Sequence, residues 1–388
     1  MSFLAWIDFD PEERRRAQSL IYLFKQPEAR DELGLGTVRD GLADILFPGT
    51  STIQTRLRYM LFISWIFREA QQRKGSQAER TAFARNREFE LAEALLAGGE
   101  TVGVIGSEAG RNLKRLASNV YWAGLHVLGL RTTPGATAMF LSYGPDDLKD
   151  HDLSFWAPGF PLPPADLFKT TEFALLPDEI AFLRGRLAVN AKASLLHELA
   201  LKQKSFDEDW PWQVSEDTVS ESNRAILLHA ERFSAVMYGA SLFYNLLLAL
   251  RAAERPNAKV FADAPELIEG YRSRLRDWSE ELDDLELGKW GVEDLFRVVD
   301  TTSHRPTAGT RNFIRNWVDI ARDRPIDLEN SARAIDLIRR REGGLKPKKA
   351  RLSFEAPLER WSGASGDARL DFRWRIARVY LRDLAGAR

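Results

Sequence analysis

Apolar residues recur at mixed spacings of three and four, with charges at the edges, through residues 12–26 and 53–74, the pattern of amphipathic helices. Pro48-Gly49 punctuates the chain ahead of the second stretch, and Thr50, Ser51 or Thr52 is placed to cap a helix that starts near Ile53. From Gln77 to Leu96 the chain is charged and rich in Ala and Leu, which predicts a long exposed helix that Gly98-Gly99 stops. Leu113, Leu116, Val120, Ala123 and Val127 then repeat at three, four, three and four, enough to bury one stripe. A helix through Leu116 and a restart capped by Ser118 or Asn119 would make a helix-turn-helix, with Arg111, Lys114 and Arg115 off the apolar stripe. Against base reading, the second helix offers Tyr121, Trp122 and His126 and no Arg, Asn or Gln beyond Asn119. Two core helices with a solvated basic edge is the structural alternative.

Residues 132–178 are dense in Pro, Gly and Asp and carry "FWAPGFPLPP", which reads as a boundary strap or an elaborated loop. Pro177-Asp178-Glu179 opens the next helix, with Pro in the first turn and acids at the positive dipole end. A long helix follows from about Ser222. Between Arg232 and Arg251 it is uncharged over about the minimum length of a membrane span. Ser234, Ser241 and Asn245 lie within it, no partner span exists and both flanks are charged, so a buried core helix is expected and no membrane. The fold class read from these patterns is mainly α. It is multi-helical, with two or three helical subdomains and a Pro/Gly-rich irregular middle segment. The divisions are an N-terminal helical domain at 1–131, a linker or strap at 132–178, an acidic helical domain at 179–300 and a basic helical region at 301–388.

Composition changes the picture in three ways. The 388 residues are 44% hydrophobic and 29% charged, ample for a core. Cysteine is absent, which removes disulfides, thiolate metal sites and cysteine nucleophiles and suits a reducing cytoplasm. The N-terminus lacks the basic start, long apolar run and cleavage site of a secretory signal. The net charge of −1 excludes a wholly basic nucleic-acid binder, yet it conceals a segregation. Residues 201–300 carry about eight more acids than bases, and 301–388 about nine more bases than acids.

That last block holds the main candidates. "IRRREGGLKPKKARL" sets Arg339, Arg340 and Arg341 at a helix end that Gly343-Gly344 terminates, followed by Lys346, Lys348, Lys349 and Arg351 in a loop. "DFRWRIARVYLRDLAGAR" sets Arg375, Arg378 and Arg382 on one helical face, with Phe372, Ile376 and Val379 on another. Helix-end capping, or pairing with the acidic block, is the plain reading of each. "DTTSHRPTAGTRNFIRNW" supplies hydroxyl, imidazole and guanidinium donors, His304, Arg305 and Arg311 among them, in a loop that either holds a phosphate at a helix start or merely caps it.

Catalytic signatures are mostly missing: no GxxxxGK[ST], GxGxxG after a strand, HExxH, GxSxG or phospholipase-D-type HxK repeat occurs. Of the five His, His197 and His229 on successive helices are the one pair that suggests a shared metal, and neither has partner spacing. No cofactor and no metal site is expected.

Two stretches, residues 2–67 ("SFLAWIDFDPEERRRAQ…YMLFISWIF") and 105–125 ("IGSEAGRNLKRLASNVYWAGL"), resemble an uncharacterised bacterial family, a domain of unknown function, with similarity over most of the chain. The resemblance implies an accessory gene of anti-phage defence islands, near helicase and phospholipase-D-like nuclease genes. It carries no catalytic residues. The expected function is therefore a non-catalytic accessory component of such a system, binding DNA or RNA or a helicase or nuclease subunit. A metal-dependent nuclease or other phosphoryl hydrolase, using scattered carboxylates, and a pure protein–protein scaffold are the alternatives.

Overall fold

Helix ends follow local chemistry where that chemistry is strong. Ser76 and Glu79 form a reciprocal capping box, and the helix they start runs Gln77–Ala97. Pro177 occupies the first turn of Pro177–Asn190, and the Glu179 carboxylate accepts the Leu176 N–H at 3.0 Å. The computed structural model describes residues 31–150, 154–323 and 328–386. Among these are fifteen α-helices and no strand, with one isolated bridge between Arg131 and Trp156. The fold is mainly α and multi-helical. The helix expected at 12–26 lies outside the described residues.

In chain order the helices are α1 (Gly36–Leu46), α2 (Tyr59–Gln71), α3 (Gln77–Ala97), α4 (Ala117–Val127), α5 (Thr137–Ser142), α6 (Pro145–Asp150), α7 (Pro177–Asn190) and α8 (Leu195–Ala200). They continue as α9 (Glu221–Ala253), α10 (Ala264–Glu281), α11 (Val292–Val299), α12 (Ala308–Arg322), α13 (Ala332–Leu345), α14 (Glu355–Glu359) and α15 (Trp374–Leu384). Two compact units result. Unit 1 takes its described residues from segments 1–37, 232–292 and 306–370, and unit 2 from 38–231, 293–305 and 371–388.

Unit 2 is centred on α2, in which every residue from Tyr59 to Phe67 is buried. The helices α3, α4 and α5 pack on it, and Trp122, Phe140 and Trp156 meet edge to face. Inside the same unit, Arg58 and Glu179 form a fully buried ion pair at 2.7 Å, with the second Arg58 arm on the Glu172 carbonyl. The start expected near Ile53 is displaced to Tyr59. Residues 51–58 turn instead, because the Tyr121 hydroxyl takes the N–H groups of Thr55 and Arg56 and Gln54 takes that of Ser51. A tertiary partner has claimed donors that the local pattern assigns to a helix.

Unit 1 is built around residues 232–253 of α9. This helix is long and apolar enough to cross a membrane, but 78% of its apolar window is buried inside the protein, the core-helix arrangement. Its polar groups are satisfied there: Ser234 donates to the Leu370 carbonyl, and Asn245 both donates to and accepts from the backbone of Ser365. The indoles of Trp278 and Trp317 donate to the Ala235 and Val236 carbonyls. Gly239 is required for that approach, since a Cβ there would lie 2.1 Å from the Trp278 ring.

Candidate functional site

The basic residues singled out in the sequence divide between the two units. Unit 1 holds Arg311, Arg339, Arg340, Arg341, Lys346, Lys348, Lys349 and Arg351, and unit 2 holds Arg111, Lys114, Arg115, His304, Arg305, Arg375, Arg378 and Arg382.

At the end of α13 the cations sort into two kinds. Three face inward. Arg341 donates to the carbonyls of Leu33 and Gly34 and to the Thr310 hydroxyl, at 2.7, 3.1 and 3.0 Å. Burial pushes its guanidinium below the ordinary arginine range. Lys346 pairs with Glu32, and Arg351 reaches the other Glu32 oxygen at 3.0 Å and the Tyr244 hydroxyl at 3.3 Å. Beneath them the buried Glu342 carboxylate accepts the Tyr244 hydroxyl at 2.6 Å and the backbone N–H groups of Arg351 and Leu352 at 2.8 and 2.9 Å. Burial and the Glu342 charge together push the Tyr244 phenol far above its ordinary range.

The others face outward. Arg339, Lys348 and Lys349 are exposed and have no ion-pair partner among the described residues, while the exposed Arg340 pairs with Asp336 one turn back. The helix ends beside Gly343-Gly344, at Leu345, and further on the Glu342 carboxylate binds the N–H groups of residues 351 and 352. Lys346 to Lys349 then form one turn, closed by the Lys349 N–H on the Lys346 carbonyl.

The Thr-rich loop behaves as a cap. Thr307 accepts the Thr310 N–H at 3.2 Å at the start of α12, and Arg311 folds back onto the Pro306 carbonyl.

In unit 2 the helix expected ahead of α4 is absent. A single 3-10 turn at Gly110–Asn112 stands there, and α4 begins at Ala117. The Asn119 side chain accepts the Leu116 N–H, and the buried Glu88 carboxylate accepts that of Ser118, so the start of α4 is set from α3. Arg111 is exposed, 3.4 Å from Glu93, and stacks on Phe89; Lys114 and Arg115 are exposed. On the last helix Arg375 binds Asp371 at 2.9 Å, Arg378 donates to the Glu208 and Asp207 carbonyls at 2.9 and 3.1 Å, and Arg382 is exposed.

His304 is drawn into a cluster that the sequence does not advertise. Its Nε2 lies 2.8 Å from Asp44, whose other oxygen binds Arg373 at 2.6 Å; Arg373 also reaches the Thr50 carbonyl and Asp40. Arg373 sits on strained backbone, with Phe372 and Arg373 at successive φ of 51° and 70°. The buried Phe372 ring against Trp212 helps hold that turn. Arg373 stood in plain view in "DFRWRIAR", but its acidic partners come from more than 300 residues earlier. Arg305 remains exposed.

Among the described residues, no group of three or more His, Asp or Glu side chains could share a metal ion. His197 Nδ1 lies 3.0 Å from the Lys192 carbonyl, and Glu198 binds Ser220 and Asn223.

The profile of a family of unknown function, DUF6361, matches residues 1–388. The chain belongs to DUF6361. No curated protein and no solved structure matches it.

Proposed function

We propose that the protein is a cytoplasmic, non-catalytic accessory component of a bacterial anti-phage defence system, and that it grips nucleic-acid phosphates through the open cations at the end of α13. One observation carries the reading. Arg339, Lys348 and Lys349 stand exposed and without carboxylate partners among the described residues, while their neighbours Arg341, Lys346 and Arg351 are held inward by Glu32, Tyr244 and backbone carbonyls. The inner three stiffen the helix end and the turn that together present the outer three. A phosphate backbone is the partner such cations meet with the largest gain, because binding releases condensed counterions. In unit 2, Lys114 and Arg382 are exposed as well. Arg375 and Arg378, tied to Asp371 and to carbonyls, are left out of it. The defence setting and the helicase or nuclease partner rest on the family resemblance alone.

The test is fluorescence anisotropy of the full chain with single- and double-stranded DNA and RNA across a salt series. Binding is expected to weaken with salt, and the triple change Arg339→Glu, Lys348→Glu, Lys349→Glu should make the log–log slope shallower by roughly two to three. If the triple variant binds every probe as the parent does, the contact is misplaced. If the parent binds none at low salt, the basic turn is a protein–protein surface and the scaffold reading replaces this one.

A further inference from the structure

The Pro-rich strap closes one side of a groove of about 520 Å³ in unit 2, a size typical of small-molecule sites. It shares no residue with the nucleic-acid contacts proposed above. The strap is pinned in place: the Trp65 indole donates to the Pro161 carbonyl at 2.9 Å, the Trp156 indole donates to Gln71 Oε1 at 2.8 Å, and the backbone of Phe155 and Ala157 bonds to Thr132 and Leu130. Other bonds engage several of the groove's polar groups. The Gln71 amide is committed to the Phe140 carbonyl, Ser154 to the Trp156 carbonyl, and one oxygen of the Glu69 carboxylate to Arg87 at 2.9 Å.

Two needs are left unmet. Arg68 lines the groove half-buried, its guanidinium 4.9 Å above the Phe160 ring, with no carboxylate or carbonyl partner for that group among the described residues. Burial pushes it below the ordinary arginine range, although it stays charged. At the lip, Leu162 is 85% exposed beside the exposed Pro158 and Pro163, an apolar edge open to water. A ligand that needs many hydrogen bonds, such as a sugar, finds few readers here beyond the exposed Gln72. A ligand with one negative group and an apolar body answers both needs, because a partly desolvated guanidinium gains more from an anion than an exposed one does.

We propose that this groove is a binding site for a small organic monoanion, with its carboxylate or equivalent group on Arg68 and its apolar body between Phe160 and Leu162. Selectivity then rests on a single charge contact, and the walls contribute burial.

Isothermal titration of the full chain with indole-3-acetate, and with its neutral amide, tests this. The acetate should bind at one site and the amide at least about tenfold more weakly, the scale of one charge-assisted hydrogen bond. Arg68→Gln should remove that difference, and Arg68→Lys should keep part of it. Ser154→Trp, at an exposed lining position, should block both ligands while near-ultraviolet circular dichroism shows an intact fold. The proposal fails if neither ligand gives saturable heat at millimolar concentration, if acetate and amide bind alike, or if Ser154→Trp leaves acetate binding intact.

Discussion

The two basic stretches, Gly110–Arg115 in unit 2 and Arg339–Arg351 in unit 1, each stand beside a buried glutamate that fixes neighbouring backbone, at the start of α4 in the first and within the stretch itself in the second, yet the two glutamates are solvated differently by the protein. Glu342 accepts a phenol and two backbone N–H groups, and the Arg351 guanidinium lies on that same phenol. Glu88 binds Ser118 and, among the described residues, has no cation in hydrogen-bond reach, so burial, only partly offset by Ser118 and Arg85, pushes its carboxyl up to about 7. A basic run in the sequence thus says little about the seat beneath it. Where the seat is fully bonded, as under α13, the outer cations stand on fixed backbone. Where it is not, as under α4, the anchor is sensitive to pH.

The largest expected effect comes from breaking the bonded seat. Glu342→Ala leaves the Tyr244 hydroxyl and two backbone N–H groups without their acceptor in the interior and should destabilise the protein by about 3 kcal/mol or more. Urea denaturation measures it, and a loss below about 1 kcal/mol would mean that the network is not what organises the turn.

Next comes Glu88. Its folded value of about 7 lies above the ordinary 4.5, so the folded state holds the proton more tightly. The resulting stability is complete below about pH 4.5 and is lost as pH rises through 7, an effect of about 3 kcal/mol across that window. Glu88→Gln, which mimics the protonated form, should flatten the stability profile there. An unchanged profile would show that another group titrates.

The smallest effect is expected at the outer cations. Lys348→Ala with Lys349→Ala should shift stability by no more than about 0.5 kcal/mol, because neither side chain has a partner among the described residues. A larger loss in the denaturation curve would place them in the scaffold with Arg341 and Lys346, and would collapse the distinction between inner and outer cations.

Much of the helical layout was legible because its signals are local. The charged, Ala- and Leu-rich run of α3, Pro177 and the uncharged run within α9 each act within a turn or a single helix. The failures were equally specific. Residues 53–58 have helical spacing but lose donors to the Tyr121 hydroxyl, and the stop read at Gly343-Gly344 falls one residue later, at Leu345. At the candidate site, the run of Arg and Lys was visible, but which of them are spent was not.

What the sequence determined by itself is the class of the protein: helical, free of cysteine chemistry, with charge divided between its middle and its end. Only the tertiary structure decided which charges are available for function. Arg341 is spent on carbonyls more than 300 residues away in sequence, and Arg378 on carbonyls about 170 away, while Lys348 and Arg339 have no partner among the described residues. A side chain's type is local information, but its partner depends on the whole path of the chain. The same reason placed Arg68 in a groove made by a strap some ninety residues further on.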